Sequence, residues 1–156
     1  MRKVFSNLLE KEMSKNNDLF LLTADLGYNL WDGILGFQNT LVLESSEQFM
    51  VGAAAGLALE GKVPICYSIT PFLLYRPFEF IRNFMQYEQL PIKLLGGGRG
   101  RDYESLGYTH WAEEDQNIIS VLDNIESFLP ESREDVEDMF SEFLYNGKPS
   151  YMNLRR

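Results

Sequence analysis

Apolar residues fall along this chain in short runs, separated by segments with helical spacing. Asp18–Ala24 (DLFLLTA) reads as a buried strand and Leu41–Leu43 as a second, shorter one. From Ser46 to Glu60 the spacing predicts a helix, with Ser46 as its cap, closely packing small residues at 52–56 and Gly61 as its end. Val63–Ile69 is another apolar strand. Tyr75 to Glu88 carries a broad apolar face made by Phe78, Ile81, Phe84 and Met85, so a helix is predicted there. Ile92–Leu95 is a strand that runs into Gly96, Gly97 and Gly98, and Asn124–Leu129 is a fifth. Glu131–Tyr145 is an amphipathic helix whose early acidic residues suit the helix dipole, and Ser150–Leu154 is a sixth strand. Strands separated by helices of about 10–15 residues form parallel βαβ units. The predicted fold class is therefore α/β, a three-layer α/β/α domain with a mostly parallel sheet of about six strands. Ligands of such sheets gather at loops leaving the carboxyl ends of the strands, here residues 25–33, 44–47, 70–76, 96–110 and 130–131.

Composition narrows the chemistry. At 156 residues the chain is one domain by size, and 45% hydrophobic with 24% charged residues suits a globular protein. A net charge of −9 without a basic stripe argues against nucleic-acid backbone binding, which depends on clustered Lys and Arg. One Cys and one His exclude a disulfide framework and leave too few soft ligands for zinc within the chain. No apolar run approaches the ~20 residues of a membrane span, and the first residues lack a leader's apolar segment. A reducing cytoplasm is the expected compartment. The GGGRG stretch at 96–100 is no phosphate loop, because the Gly-Lys-Ser/Thr that such a loop needs is missing.

Several segments carry a resemblance. ADLGYN (24–29) follows the first strand, and ESSEQFMVGAAAGLALEGKVP (44–64) looks like the signature GIAEQNMVGxAAGLAxxGxxP. FLLYRPFEFIRNF (72–84), LPIKLLG (90–96) and LGYTHWAEED (106–115) mirror FLxxRAYEQIR, LPV and GPTHxxxED in order and spacing. Together these resemble the pyrimidine-binding domain of transketolases and deoxyxylulose-phosphate synthases, over residues 2 to about 130. The resemblance implies the fold of thiamine-diphosphate pyrimidine domains and a transketolase-type transferase moving a two-carbon or acyl unit to a sugar-like carbonyl compound.

The resemblance also assigns roles. Glu47 matches the glutamate that hydrogen-bonds N1′ of the aminopyrimidine and so promotes the tautomer that deprotonates the thiazolium carbon. A carboxyl in an apolar pocket is suited to sharing that proton. The plainer reading is an acid opening a helix at its positive end. Phe72 matches the aromatic residue stacked on the pyrimidine, with Tyr75 and Phe78 completing the wall; all three also suit a helix core. Asp25 matches an aspartate near the cofactor and otherwise caps a turn. His110 matches the histidine near the reacting carbon, able to donate to a substrate oxygen or shuttle a proton. Glu114 and Asp115 match acids that brace this loop. Asn29, Arg99 and Arg101 are substrate candidates. Gln48 and Arg76 are interface candidates, Arg76 otherwise pairing with Glu79 or Glu88.

The resemblance has gaps. The family's GDG…N motif for the diphosphate and its Mg2+ or Ca2+ is missing, so a partner chain carrying the diphosphate-binding domain is expected, in an α2β2 assembly. The third, carboxy-terminal domain is also expected to be absent. Tyr108 replaces the motif's proline, Ser105 an acid, and Gly98 a histidine that serves the sugar phosphate, so substrate recognition is altered. A split 2-oxo acid decarboxylase subunit and a non-catalytic regulatory domain remain the alternatives.

Overall fold

A computed structural model describes residues 1–24, 27 and 29–156. Six parallel strands form one sheet in the order β2-β1-β3-β4-β6-β5. They are β1 (Leu19–Thr23), β2 (Thr40–Val42), β3 (Val63–Ile69), β4 (Lys93–Gly97), β5 (Glu126–Phe128) and β6 (Ser150–Leu154). Every residue of β4 and β6 is buried, as a parallel sheet covered on both faces requires. The sequence's three-layer α/β/α expectation holds, and every pairing is parallel.

One face is covered by α1 (Arg2–Met13) and α6 (Arg133–Tyr145). Phe5, Leu9 and Met13, spaced by four, pack there against Phe140 and Phe143. The opening segment, read in the sequence only for what it lacks, is thus a core helix. Ser132 caps α6: its hydroxyl accepts from Asp135 N at 3.0 Å, while Asp135 Oδ2 accepts from Ser132 N at 2.9 Å. The opposite face carries α2 (Glu47–Leu59), α3 (Thr70–Tyr75), α4 (Phe78–Phe80) and a π-helix from Ile81 to Tyr87. Gly52 lets α2 approach closely, because a Cβ there would lie 2.9 Å from Phe80 Cε2.

The predicted helix over 75–88 is corrected. Helix begins at Thr70, where Pro71 fits the first turn, and breaks before Phe78 because Pro77 lacks the donor that would continue it. Residues 70–75, expected as loop, are therefore helical. A short helix, α5 (Asp115–Ile119), closes the long segment after β4. Among the described residues no helix is long and apolar enough to cross a membrane.

Candidate active site at the carboxyl edge of the sheet

The chain leaves β2 through Glu44, whose left-handed φ of 51° costs an ordinary side chain about 1 kcal/mol or more. That turn delivers Glu47 as the first residue of α2, at the carboxyl edge of the sheet and the positive end of the helix dipole. Ser46 holds the cap position, but its hydroxyl donates to the Leu43 carbonyl, so the predicted side-chain cap is not formed. Glu47 is 1% exposed. Its Oε1 accepts from Ser68 Oγ at 2.8 Å, and its Oε2 pairs with Arg76 Nη1 at 2.6 Å. The carboxylate has polar partners where the sequence suggested an apolar pocket. Arg76 pairs with Glu47 and not with Glu79 or Glu88.

Arg76 also lies over Phe72, its guanidinium carbon 4.0 Å from the ring centroid. Phe72 is half-buried on α3 and meets the His110 ring edge-on, with centroids 4.9 Å apart. His110 Nδ1 lies 3.0 Å from Thr109 Oγ1. Beyond His110 stands Tyr103, 6.4 Å away centroid to centroid. The Tyr103 hydroxyl accepts from Arg2 Nη1 at 3.0 Å, and Arg156 lies over its ring at 5.2 Å. Contacts thus run unbroken from Glu47 through Arg76, Phe72, His110 and Tyr103 to Arg2. Tyr75 is exposed and donates to Glu114 Oε2 at 3.2 Å. Partial burial and the Glu114 carboxylate push its phenol up to about 12. Phe78 packs half-buried against the core beneath α2.

A buried polar network ties the segment carrying Tyr103 and His110 to the sheet. Asp115 Oδ2 accepts from Tyr151 Oη and Asn153 Nδ2, both at 2.7 Å. Thr70 Oγ1 donates to the Gly98 carbonyl at 2.7 Å, and Asn153 Nδ2 donates to the same oxygen at 3.2 Å. Burial and the Asp115 carboxylate hold the Tyr151 phenol well above its usual value, so it serves as a neutral donor.

Beside Tyr103 opens a cleft of about 430 Å³, lined in part by Arg2, Lys3, Asn29, Arg133 and Arg156. Helices α1 and α6 both begin here, so two positive helix ends join four cations in a chain of net charge −9. Burial, Arg133 and Arg2 hold the Met1 amine below its usual value. Among the described residues none of the four cationic side chains is in an ion pair with a carboxylate. A larger cavity of about 660 Å³ lies between Met13 and Phe37, away from these side chains, and no charged residue lines it.

The family model for the pyrimidine-binding domain of transketolase matches residues 1–156. The chain belongs to this family. An apulose-4-phosphate transketolase subunit from Actinobacillus succinogenes is 33% identical over 109 residues, 70% of this chain and 35% of that protein. The 6-deoxy-6-sulfo-D-fructose transketolase subunit SqwH from Clostridium sp. is 31% identical over 111 residues, 71% of this chain and 34% of that protein. A structure described as a split gene transketolase, inactive beta4 tetramer, superposes with a TM-score of 0.85 at 26% identity, covering 99% of this chain and 50% of that one. The matched stretches thus span between a third and a half of these relatives.

Within this transketolase pyrimidine domain, the structure brings Glu47, Phe72, Arg76 and His110 together. Arg99 lies elsewhere in its bonding: its guanidinium pairs with Glu131 at 2.6 Å and donates to the Pro130 and Asn153 carbonyls at 3.1 and 2.8 Å. Arg101 is exposed, pairs with Glu113 at 2.9 Å and lies over Trp111. Asn29, left-handed at φ 59°, lines the basic cleft. Gln48 is exposed on α2. Asp25 lies outside the described residues. Among the described residues no group of three or more His, Cys, Asp or Glu side chains is placed to hold a metal ion. Sequence reasoning missed Arg2, Tyr103, Arg133 and Arg156. For the three arginines the one signal is a basic residue at a helix start or just past a strand end; Tyr103 carries none.

Proposed function

We propose that this chain is the pyrimidine-binding subunit of a split, thiamine-diphosphate-dependent transketolase-type enzyme, working with a second polypeptide that supplies the diphosphate-binding half. The observation that carries the reading is Glu47, buried at the start of α2 and linked through Arg76 to the Phe72 ring.

The donor set fits the cofactor's pyrimidine. A carboxylate offers about four acceptor sites, and Glu47 uses two, so it keeps capacity for a ring nitrogen's proton. Phe72 supplies an aromatic surface beside it. Thiamine diphosphate, when bound, supplies the nucleophilic carbon that carries a two-carbon or acyl unit between carbonyl compounds. Glu47 holds the proton at the pyrimidine, Ser68 and Arg76 fix its carboxylate, and His110 stands where it can donate to a substrate oxygen. Tyr75, Phe78 and Asp25 are assigned to the pocket wall and its margin.

The basic cleft assigns the other end of the substrate. Two helix starts and four cationic side chains suit a terminal tetrahedral oxyanion, and the names of both transketolase relatives carry such a group, a phosphate and a sulfo group. The substrate class is a sugar-like carbonyl compound ending in phosphate or sulfonate.

The partner is assigned the diphosphate and its Mg2+ or Ca2+, in an α2β2 assembly. Phe49 and Leu59 support a partner surface on α2: they are 62% and 72% exposed on the helix that starts with Glu47. Gln48 lies on the same helix.

The test is co-expression with the diphosphate-binding chain and titration with thiamine diphosphate and magnesium. Glu47→Ala loses about 10²–10⁴-fold in turnover, the scale of a positioned proton-transfer group. Near-normal turnover in that variant rejects the assignment.

A further inference from the structure

We propose that Tyr103 is the positioning residue of the basic cleft, fixing two of its arginines and setting how far the bound oxyanion sits from His110. The inference rests on the anionic-substrate reading above and adds a residue to it.

Gly98 anchors the arrangement. It leaves β4 at φ +91°, donates its N–H to the Leu154 carbonyl at 2.8 Å, and accepts from Thr70 and Asn153. That backbone conformation favours glycine, and here there is a second demand for it. A Cβ at position 98 would lie 2.4 Å from Tyr103 Cε2 and 2.7 Å from Cδ2. The Tyr103 ring fills the space that a side chain at 98 would take, so the two are mutually exclusive. The ring rests on a backbone point tied to β6 and to the start of α3.

From that fixed seat Tyr103 makes one contact with each of two cations. Its hydroxyl accepts from Arg2 Nη1 at 3.0 Å, and its ring lies under Arg156 at 5.2 Å. Both arginines line the cleft, and among the described residues neither guanidinium is in an ion pair; Asp102 reaches Arg156 only at its backbone N–H, at 2.9 Å. A long, flexible guanidinium without an ion pair loses rotamer entropy when it binds an anion. A neutral aromatic partner removes much of that cost beforehand without neutralising the charge. A carboxylate in the same place would compete with the ligand. The ring centroid also lies 6.4 Å from that of His110, so Tyr103 links the cleft to the reacting end of the site.

The probe is inorganic phosphate, titrated calorimetrically at low salt into the full chain. Wild type binds; Tyr103→Phe, which keeps the ring and loses the hydroxyl, weakens binding about threefold to tenfold, the worth of one hydrogen bond. Tyr103→Ala weakens it further. In the assembled enzyme Tyr103→Phe raises KM for a phosphorylated aldose acceptor by the same factor. It leaves kcat, and KM for the unphosphorylated aldose, within about twofold. A purely structural tyrosine would move the melting temperature and both acceptors together. Glu47→Ala keeps phosphate affinity unchanged, so failure of the thiamine reading is seen separately, in turnover alone. Absence of phosphate binding by wild type, or equal affinity in wild type and both Tyr103 variants, overturns the proposal.

Discussion

Asp115→Ala tests the network on which both ends of the site depend. Asp115 is 3% exposed, and its carboxylate accepts from Tyr151 Oη at 2.7 Å, Asn153 Nδ2 at 2.7 Å and Gln116 N at 2.7 Å. Asn153 keeps other acceptors after truncation, namely Thr70 Oγ1, the Gly98 carbonyl and Tyr151 Oη, each within 3.2 Å. The Tyr151 hydroxyl proton loses its carboxylate acceptor in a buried site. Orphaning one buried donor costs about 1–3 kcal/mol, and the lost charged bonds bring the expected loss to about 3 kcal/mol. For a domain of this size that lowers Tm by about 6–12 °C. Urea unfolding followed by far-UV circular dichroism measures the loss, and Tyr151→Phe completes a double-mutant cycle. Because both substitutions break the same contact, the cycle yields a coupling of about 1–2 kcal/mol. A loss below about 1 kcal/mol, or strict additivity, would refute the network as the brace of residues 98–115.

Two further outcomes follow from buried titratable groups. Lys93 is fully buried, and burial lowers its pKa to about 7 although Glu126 pulls the other way. Between about 7 and its ordinary 10.5 the unfolded chain binds more protons than the native one, so stability rises with pH across that window, by at most about 1.4 kcal/mol per unit. Denaturant midpoints measured from pH 7 to 10 check this, and a flat profile, or an unchanged slope in Lys93→Met, contradicts it. Cys66 is fully buried in β3, and burial pushes its thiol well above the usual range. Native protein therefore reacts with a disulfide reagent only as fast as it unfolds, and full reactivity follows in denaturant; rapid labelling of the native chain contradicts the burial.

The sheet was legible where strands are covered on both faces. Val63–Ile69 and Ser150–Leu154 are read residue for residue, because a short apolar run between turn residues has few other homes in an α/β chain. The helix after β3 was misplaced because apolar spacing alone does not register Pro71 as a starter and Pro77 as a break. The ion-pair partner of Arg76 was missed for a different reason. Glu79 and Glu88 are near Arg76 in sequence, whereas the pairing that forms spans 29 residues and joins the start of α2 to the end of α3, two elements that meet only in the folded domain. Glu47, Phe72 and His110 could be singled out because each sits in a motif. The basic cleft could not, because residues 2, 29, 133 and 156 form no motif and meet only through the topology.

Charge accounting gives that cleft its weight. The chain has 23 acidic and 14 basic residues, so a cation placed at random on its surface has carboxylates to spare. Elsewhere Lys62, Arg76, Arg99, Arg101, Lys148 and Arg155 pair with Asp or Glu, and the four that do not among the described residues, Lys11, Lys15, Arg82 and Lys93, are scattered over α1, the turn after it, the π-helix and β4. Arg2, Lys3, Arg133 and Arg156 stand together beside two positive helix ends; among the described residues none of their side chains is in an ion pair, and the one carboxylate bonded there, Asp102, accepts from the Arg156 backbone N–H at 2.9 Å. Like charges gathered without side-chain ion pairs among the described residues raise the energy of the fold. A sequence so rich in acids could have relieved this by one substitution at Asn29 or Tyr103. Either acid would also have filled the place of an incoming oxyanion. The arrangement makes sense as a cost carried for binding, and it supports the proposed oxyanion site beside Arg2 and Arg156, the two cations that touch Tyr103.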